Sequence, residues 1–246
     1  MALSEVALAA PAFNEAESIE QVVEDWVSYL AGNPSLERFE IVVCNDGSRD
    51  RTGDILDDLA RRHPQVRPIH LPKNQGAAVA LTRAIAATTL DWVLLIDSDG
   101  QFPIENLQRM TSAVSAEGVQ AAMGVRPVKQ DSAFARFGSW SSGALCNLFH
   151  GSRYRDFNSA FKLVDGKVLR AIPLEAKGLN YSTEVTSRLL EGGVNLVEVE
   201  IEHRPRTSGK SSLKLFKGAR DRLLFVLYIG LRQLLLHSQV IQRVSM

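Results

Sequence analysis

The sequence predicts an α/β protein with an open, mostly parallel central sheet flanked by helices. Three observations support this fold class. Short apolar runs alternate with amphipathic helical patterns through the first half, turn-forming residues separate them, and polar clusters follow several of the runs. The chain has 246 residues, 45% of them hydrophobic, which suits one folded domain or one domain with a small appendage.

The first half supplies the regular part of this pattern. Each predicted strand is a short apolar run, as expected for strands buried on both faces. The predicted strands are Val6–Ala10, Glu40–Cys44, Val66–Leu71, Asp91–Ile96 and Gln120–Val125. The helical patterns between them are Ala16–Tyr29, Asp50–Arg62, Ala77–Ala87 and Ile104–Ala116.

The second half is less regular. We predict a helix over 130–150, a strand at Phe161–Val164, a helix at Thr183–Glu191 and a strand at Val194–Ile201, followed by a polar loop over 202–212. Residues 213–243 predict one or two amphipathic helices, with an apolar face at i+3/i+4 spacing formed by Phe216, Ala219, Leu223, Leu227, Leu231 and Leu234. We therefore divide the chain into a catalytic domain, 1–212, and a basic C-terminal helical segment, 213–246.

Charge is distributed unevenly although the formal net charge is zero. Residues 203–246 carry nine of the 28 Lys and Arg residues and one of the 28 Asp and Glu residues. This density predicts an anionic partner such as phospholipid, a phosphorylated substrate or nucleic acid. Nucleic acid is disfavoured, because the basic segment is rich in leucine and poor in aromatic residues for base stacking.

Several features predict a cytoplasmic protein. Cys44 and Cys146 are too few for a disulfide framework. The N-terminal residues lack the basic start of a secretion signal. No stretch approaches the ~18–20 uncharged apolar residues of a spanning helix. We expect a cytoplasmic location, with attachment to a membrane that is peripheral at most, on its cytoplasmic face.

Asp97 and Asp99 follow the fourth predicted strand, where ligands bind in open α/β sheets. Two carboxylates two residues apart repel each other in a cleft, and a divalent cation would relieve that repulsion. Oxygen ligands suit Mg²⁺ or Mn²⁺, and Gln101 could add a neutral oxygen. The alternative is an ordinary loop in which one aspartate caps the next helix.

Two further acidic residues lie at predicted strand ends. Asp46 could accept hydrogen bonds from a base or ribose, or only form an Asn-Asp-Gly turn. Glu15 could line the same cleft, or only favour the N-terminus of the following helix through its dipole.

Together these motifs resemble family 2 of the glycosyltransferases, which have the GT-A fold. The motifs are Ala-Pro-Ala-Phe-Asn-Glu (10–15), Asn-Asp-Gly-Ser-Arg-Asp-Arg-Thr (45–52), Asn-Gln-Gly (74–76) and Asp-Ser-Asp-Gly-Gln-Phe-Pro (97–103). Three more are similar to the branch that contains dolichyl-phosphate mannosyltransferases and bacterial polyprenyl-phosphate glycosyltransferases. These are Gly-Val-Arg (124–126), Asp-Phe-Asn-Ser-Ala-Phe (156–161) and Arg-Thr-Ser-Gly-Lys-Ser (206–211).

The resemblance implies a role for each matching position. The nucleoside pocket would be lined by Pro11, Phe13, Glu15, Cys44 and Asp46. The metal would be held by Asp97, Asp99 and Gln101, and Ser98 would join them at the donor diphosphate. Phosphates would be contacted by Arg126 and Arg206, and the acceptor by Arg136.

The chain departs from the family pattern in three places. Phe13 stands where Tyr is commoner, which keeps a stacking face but removes a hydroxyl. Ser212 stands where a basic residue is often found, so Lys210 is the substitute we expect. Trp140 replaces the serine often found four residues after the acceptor-site arginine, although Ser139 and Ser141 flank it.

The implied reaction is inverting transfer of a hexose from a nucleotide sugar of the GDP-mannose or UDP-glucose type. A hydroxyl acceptor would need a general base, whereas a phosphate acceptor is largely dianionic at neutral pH. Asp156 and Glu184 are the candidate bases, and each could instead be structural. Many family members that act on a hydroxyl resemble one another in a Glu-Asp pair near the position of Glu184, but here Val185 follows Glu184. This departure favours polyprenyl phosphate as the acceptor. The cations that would position that phosphate are Arg126, Lys129 and Arg136.

Two alternatives remain open: a soluble family 2 enzyme acting on a hydroxyl, and a non-catalytic module that binds a nucleotide sugar or a membrane. The leucine-rich C-terminal face could lie on an anionic bilayer, pack on the catalytic domain, or contact a second subunit. That subunit could be another copy of the chain or a separate membrane protein.

Overall fold

The computed structural model of the protein describes residues 3–127, 133–176, 180–205 and 215–238. The strands in this part of the chain are β1 (Glu5–Ala12), β2 (Arg38–Asn45), β3 (Val66–His70), β4 (Trp92–Leu95), β5 (Ala121–Val125), β6 (Lys162–Asp165) and β7 (Leu196–Glu200). The helices are α1 (Ile19–Ala31), α2 (Thr52–Arg62), α3 (Ala77–Ala87), α4 (Asn106–Glu117), α5 (Ala133–His150), α6 (Gly166–Ala171), α7 (Tyr181–Glu191) and α8 (Leu215–His237).

Within the described residues the strands form one sheet in the order β3-β2-β1-β4-β6-β5-β7. Every neighbouring pair is parallel except the two that involve β6, which runs antiparallel to both β4 and β5. The predicted mostly parallel α/β sheet flanked by helices is therefore confirmed. The strand order changes direction between β1 and β4, and this switch point is where open α/β sheets bind ligands.

Apolar side chains cover both faces of the sheet and explain its burial. One core packs Leu8, Ile41 and Leu94 under α1, α2 and α4, and the other packs Val42, Val93 and Leu81 under α3, α6 and α7. Because helices cover both faces, the central strands are mostly apolar, as the sequence pattern predicted, with Glu40 of β2 and Lys162 of β6 as buried exceptions.

The element bounds differ from the predictions mainly at the ends. α1 begins at Ile19 rather than Ala16, because residues 14–16 give their backbone N–H groups to the loop after β2. The short helix α6 was not predicted. It begins where the Asp165 carboxylate accepts hydrogen bonds from the backbone of Lys167 and Val168, a local capping signal that the sequence analysis missed.

A single helix, α8, accounts for the described part of the C-terminal segment, and it packs on α5. Val226 and Ile229 are buried against Cys146 and Phe157, and Gly230 lets the helices approach closely, since a Cβ there would lie 2.7 Å from Phe149. The predicted apolar face points the other way. Its leucines, together with Leu224, are more than half exposed, so the alternative that they pack on the catalytic domain is wrong. We term these five residues the leucine ridge: Leu223, Leu224, Leu227, Leu231 and Leu234. The side chains of Phe216 and Ala219 lie outside the described set.

Candidate active site

Two loops flank the switch point and are joined directly. Pro11 is the next-to-last residue of β1 and precedes its loop, and the loop after β4 contains Ser98. The buried Ser98 hydroxyl donates to the Pro11 carbonyl oxygen at 2.8 Å. This bond holds the two loops at the same edge of the sheet and uses the Ser98 hydroxyl to do so.

The loop after β1 is also braced by the loop after β2. Asn14 adopts a left-handed backbone conformation, φ 55°, which Asn tolerates better than most residues. Its N–H donates to Ser48 Oγ at 2.9 Å, and its Oδ1 accepts from the Arg49 N–H at 2.9 Å. The Glu15 N–H donates to Thr52 Oγ1 at 2.9 Å. The motifs at 10–15 and 45–52 therefore form one hydrogen-bonded unit, with Phe13 and Glu15 half-buried in it.

Asp46 is buried and binds the loop after β3. Its carboxylate accepts hydrogen bonds from Asn74 Nδ2 (2.9 Å), the Gln75 N–H (2.7 Å) and the Gly76 N–H (2.8 Å). Gly47 is required beside it, because its φ is 64° and a Cβ would lie 2.4 Å from the Lys73 backbone. The Asn-Gln-Gly motif is thus attached to the Asn-Asp-Gly motif, a contact that the sequence analysis did not foresee.

Cys44 precedes this carboxylate and is fully buried in β2. Burial, together with the negative charge of Asp46, raises the pKa of its thiol to about 12. The side chain therefore remains a neutral thiol within the core. Cys44 was predicted to line the nucleoside pocket, but the structure places its side chain in the core beside Val42 and Leu81.

Asp97 and Asp99 are half-buried in the turn after β4. The hydroxyl of Tyr181 donates to Asp97 Oδ1, and Asp99 Oδ1 accepts from the Gln101 N–H at 3.1 Å. Burial and the charges of Asp97 and Asp99 raise the pKa of Tyr181 well above its ordinary value. The phenol therefore keeps its proton, because the negative charges of both carboxylates disfavour its ionised form.

Gln101 links this turn to the segment that leads to the basic loop. Its Nε2 donates to the Arg204 carbonyl oxygen at 3.2 Å, while the Arg204 N–H donates to the Gln101 carbonyl oxygen at 2.8 Å. The chain thus passes beside the aspartates two residues before Arg206. Arg206 and Lys210, like Lys129, lie outside the described residues.

Arg126 follows β5 at the same edge of the sheet. Its Nε and one terminal nitrogen donate to the two carboxylate oxygens of buried Asp156, at 2.7 and 3.1 Å. Such a bidentate pair fixes the guanidinium plane. Arg136, the predicted acceptor-site arginine, is exposed on α5, whereas Arg126 lies at the end of β5 beside Asp156.

Lys162, which was not among the predicted site residues, is fully buried at the start of β6. It pairs with Leu95 in the sheet register, and its Nζ donates to the carbonyl oxygens of Ser159 and Ser182. Burial lowers its pKa to about 7, against the opposing influence of Asp156 and Asp97. A lysine inside an apolar strand was the signal that could have found it.

Glu184, one of the two candidate bases, is buried beneath the cleft in α7. Its carboxylate accepts from the backbone N–H groups of Glu175 and Ala176 and pairs with Arg188 at 3.2 Å. These contacts match the structural alternative for Glu184. Asp156 is likewise engaged, by Arg126.

Comparison with known proteins agrees with this arrangement. The sequence model of the family described as Glycosyl transferase family 2 matches residues 8–176. The chain belongs to glycosyl transferase family 2. The match includes the strands and loops from β1 through β6, and so both aspartates of the pair.

Individual relatives are more distant. The chain is 28% identical over 215 residues to Glycosyltransferase AglD of Haloferax volcanii, an alignment that covers 85% of this chain and 34% of AglD. It is 26% identical to the undecaprenyl-phosphate mannosyltransferase of Micrococcus luteus, covering 82% and 85% of the two chains. The chain spans only about a third of the length of the first curated relatives it matches.

Solved structures confirm the fold. Glucosyl-3-phosphoglycerate synthase from Mycobacterium tuberculosis, crystallised with Mn²⁺, uridine diphosphate and phosphoglyceric acid, has a TM-score of 0.72 and 19% identity. The superposition covers 92% of this chain and 78% of the synthase. At this identity the likeness establishes the architecture alone.

Proposed function

We propose that this chain is a metal-dependent, inverting glycosyltransferase that moves a hexose from a nucleotide sugar to a polyprenyl phosphate. The observation that carries the proposal is the position of Asp97 and Asp99. They lie at the switch point of a family 2 fold, against a loop edge built by the other motifs. The names of curated relatives, such as the undecaprenyl-phosphate mannosyltransferase of Micrococcus luteus, support a polyprenyl phosphate as the acceptor.

The donor set in this turn fits a divalent cation. In the described parts of the chain, no group of three or more His, Cys, Asp or Glu side chains could hold a metal. Asp97, Asp99 and the Oε1 of Gln101, whose Nε2 already donates to Arg204, are oxygen ligands that would hold Mg²⁺ or Mn²⁺ and leave positions for diphosphate oxygens and water. When bound, the ion would neutralise charge that develops on the departing nucleoside diphosphate.

The protein's own groups would bind and orient the two substrates. The nucleoside would lie against Pro11, Phe13 and Glu15, above the loops that Asp46 joins. Arg126, fixed by Asp156, would donate to the diphosphate, as would Arg206 and Lys210. Transfer forms a bond from an acceptor phosphate oxygen to the anomeric carbon and breaks the carbon's bond to the diphosphate.

A phosphate acceptor also suits the engaged state of both candidate bases. Asp156 is held by Arg126, and Glu184 by two backbone N–H groups and Arg188. A dianionic phosphate needs no proton removed, only cations that position it, and Arg136 would serve in that way. A hydroxyl acceptor would need one of these carboxylates as its general base while the carboxylate is bound to its present partners.

The leucine ridge supports peripheral attachment to an anionic membrane surface. No helix in the described residues is long and apolar enough to cross a bilayer. Exposed Arg220 precedes the ridge, and Trp140 and Leu148 of α5 add exposed apolar surface. A dimer that formed through the α8 helices of two chains would bring two strongly basic segments together, and their charges would repel each other. Anionic lipid headgroups would instead attract each segment.

The test is metal-dependent turnover by Asp99→Ala with undecaprenyl phosphate, using GDP-mannose and UDP-glucose as donors. We expect a loss of about 10³-fold, because the ion contributes several kcal/mol of charge stabilisation. Asp91→Ala, an exposed aspartate before β4, is the matched control and should retain activity. Full activity of Asp99→Ala would disprove the proposal, and transfer to undecaprenol in preference to its phosphate would overturn the acceptor.

A further inference from the structure

Helix α7 brings a buried hydroxyl to the metal pair. Tyr181 is the first residue of α7, is 4% exposed, and donates its phenol hydrogen to Asp97 Oδ1. No motif that carries the family resemblance includes this residue. The contact joins positions 84 residues apart in the sequence, so it exists only because the fold places the start of α7 beneath the turn after β4.

The first two turns of α7 are fixed to the segment before β6. Thr183 Oγ1 donates to Asn158 Oδ1 at 2.7 Å, and Thr186 Oγ1 donates to the Phe157 carbonyl oxygen at 2.9 Å. Lys162 Nζ donates to the Ser182 carbonyl oxygen at 3.1 Å, one residue from the tyrosine. All of these groups are buried or partly buried. The phenol therefore has little freedom to move away from Asp97.

We infer that Tyr181 is a positioning residue for the cation site, holding one oxygen of Asp97 so that the carboxylate presents a single orientation to the metal. The inference rests on the proposed function only in requiring that Asp97 and Asp99 bind a divalent ion. It does not depend on which sugar or acceptor is used.

The physical reason is that small divalent ions require strict ligand geometry. Mg²⁺ demands near-ideal octahedral coordination, and Ca²⁺ accepts irregular coordination at longer distances. A carboxylate that can rotate therefore weakens binding of a small ion such as Mg²⁺, which needs strict geometry, more than it weakens binding of Ca²⁺. Groups that hydrogen-bond to a ligating carboxylate typically change metal affinity by 10–100-fold when removed.

The direct test is Tyr181→Phe, which removes only the hydroxyl. Binding of Mn²⁺ alone is measured by the electron paramagnetic resonance of the free ion, and Ca²⁺ binding by competition. We expect the Mn²⁺ dissociation constant to rise about tenfold and the preference for Mn²⁺ over Ca²⁺ to fall. Tyr29→Phe is the matched control, since its hydroxyl is hydrogen-bonded to the Gln108 backbone between α1 and α4, and it should change neither value.

Equal weakening of Mn²⁺ and Ca²⁺ binding by Tyr181→Phe, or no change in either, would overturn the inference. Asp99→Ala separates this from failure of the proposed function. If Asp99→Ala also binds Mn²⁺ like the unmodified protein, the metal site itself is wrong. If Asp99→Ala loses Mn²⁺ and Tyr181→Phe does not, only the role of Tyr181 is wrong.

A second measurement does not depend on the folding of Tyr181→Phe. The chain has four tyrosines, so incorporating 3-fluorotyrosine gives four fluorine resonances. Phenylalanine substitutions at Tyr29, Tyr154 and Tyr228 assign the fourth by elimination. Addition of Mg²⁺ should shift the Tyr181 resonance and leave that of Tyr29 in place. A stationary Tyr181 resonance at saturating Mg²⁺ would overturn the inference.

Discussion

The cleft loops and the α7–α8 region are both held by buried charged side chains, but in different ways. In the cleft, a carboxylate accepts hydrogen bonds from backbone groups of a neighbouring loop, as Asp46 does with Gln75 and Gly76. In the α7–α8 region, one arginine joins several carboxylates, although Glu184 also accepts backbone N–H groups there and Arg126 pairs with Asp156 in the cleft. Arg188, 2% exposed, contacts Glu175, Glu184 and Glu191 at 3.0 to 3.3 Å.

The second network also joins α8 to the domain. Glu191 accepts from Arg232 Nε at 2.9 Å and from Gln233 Nε2 at 3.0 Å, and the Tyr228 hydroxyl donates to Glu175 at 2.6 Å. One face of α8 therefore packs on the domain through both apolar side chains and hydrogen bonds, and the opposite face carries the leucine ridge. In the cleft, hydrogen bonds join loops that are distant in the sequence, whereas the pairs of Arg188 with Glu184 and Glu191 lie along one helix and α8 is attached through Arg232 and Gln233.

Arg188→Met should have the largest effect on stability. It leaves Glu184 and Glu191 buried without their shared cation, and breaking a buried ion pair by removing one partner costs about 3–5 kcal/mol. Urea unfolding at neutral pH measures the loss. Arg38→Met is the control, because the Arg38 side chain is 64% exposed and its pair with Glu5 should contribute about 0–1 kcal/mol. Equal effects at the two positions would show that the network does not hold α7 and α8.

Asp46→Ala should cause the next largest loss of stability. Three donors lose their acceptor, at a cost of about 1–3 kcal/mol in total. The effect is smaller than for Arg188 because Asn74 and Gln75 are exposed and water can satisfy them in the variant. Urea unfolding again gives the value, with the exposed Asp57→Ala as control. An unchanged stability would mean that Asp46 serves the ligand alone and that the cleft is not braced as described.

The same comparison explains how much the sequence could predict. The parallel strands from β1 to β5 and the polar loops after them were predictable, because apolar runs and turn residues are local signals. Asp97, Asp99 and the neighbouring Gln101 were candidates for the same reason, and the structure places them in one turn after β4. Arg126 was a candidate only through a motif resemblance.

Long-range contacts were not predictable in this way. The antiparallel pairing of β6 depends on which neighbours it finds, since Lys162 is opposite both Leu95 and Met123. Tyr181 looks like any residue at the start of a helix until the fold places it against Asp97. The spacing of Glu184, Arg188 and Glu191 suits ion pairs along a helix, but only burial by α8 makes them important.

The smallest effect on folding should come from the leucine ridge. Leu227→Ser combined with Leu231→Ser changes two side chains that are more than half exposed, so stability should change by about 0.5 kcal/mol or less. Binding to vesicles should change far more. If each leucine contributes about 1 kcal/mol by partial burial in lipid, affinity for vesicles rich in phosphatidylglycerol should fall roughly 30-fold.

Co-sedimentation with such vesicles measures that loss, and two controls give it meaning. Leu71→Ser, half-exposed after β3 at the other edge of the sheet, should leave vesicle binding unchanged. Vesicles of phosphatidylcholine alone should bind every variant weakly, because they lack the anionic charge that attracts the basic segment. Unchanged vesicle binding by the double variant, with a shift from dimer to monomer instead, would assign the ridge to a second copy of the chain. The α7–α8 region would then differ from the cleft in binding protein rather than lipid.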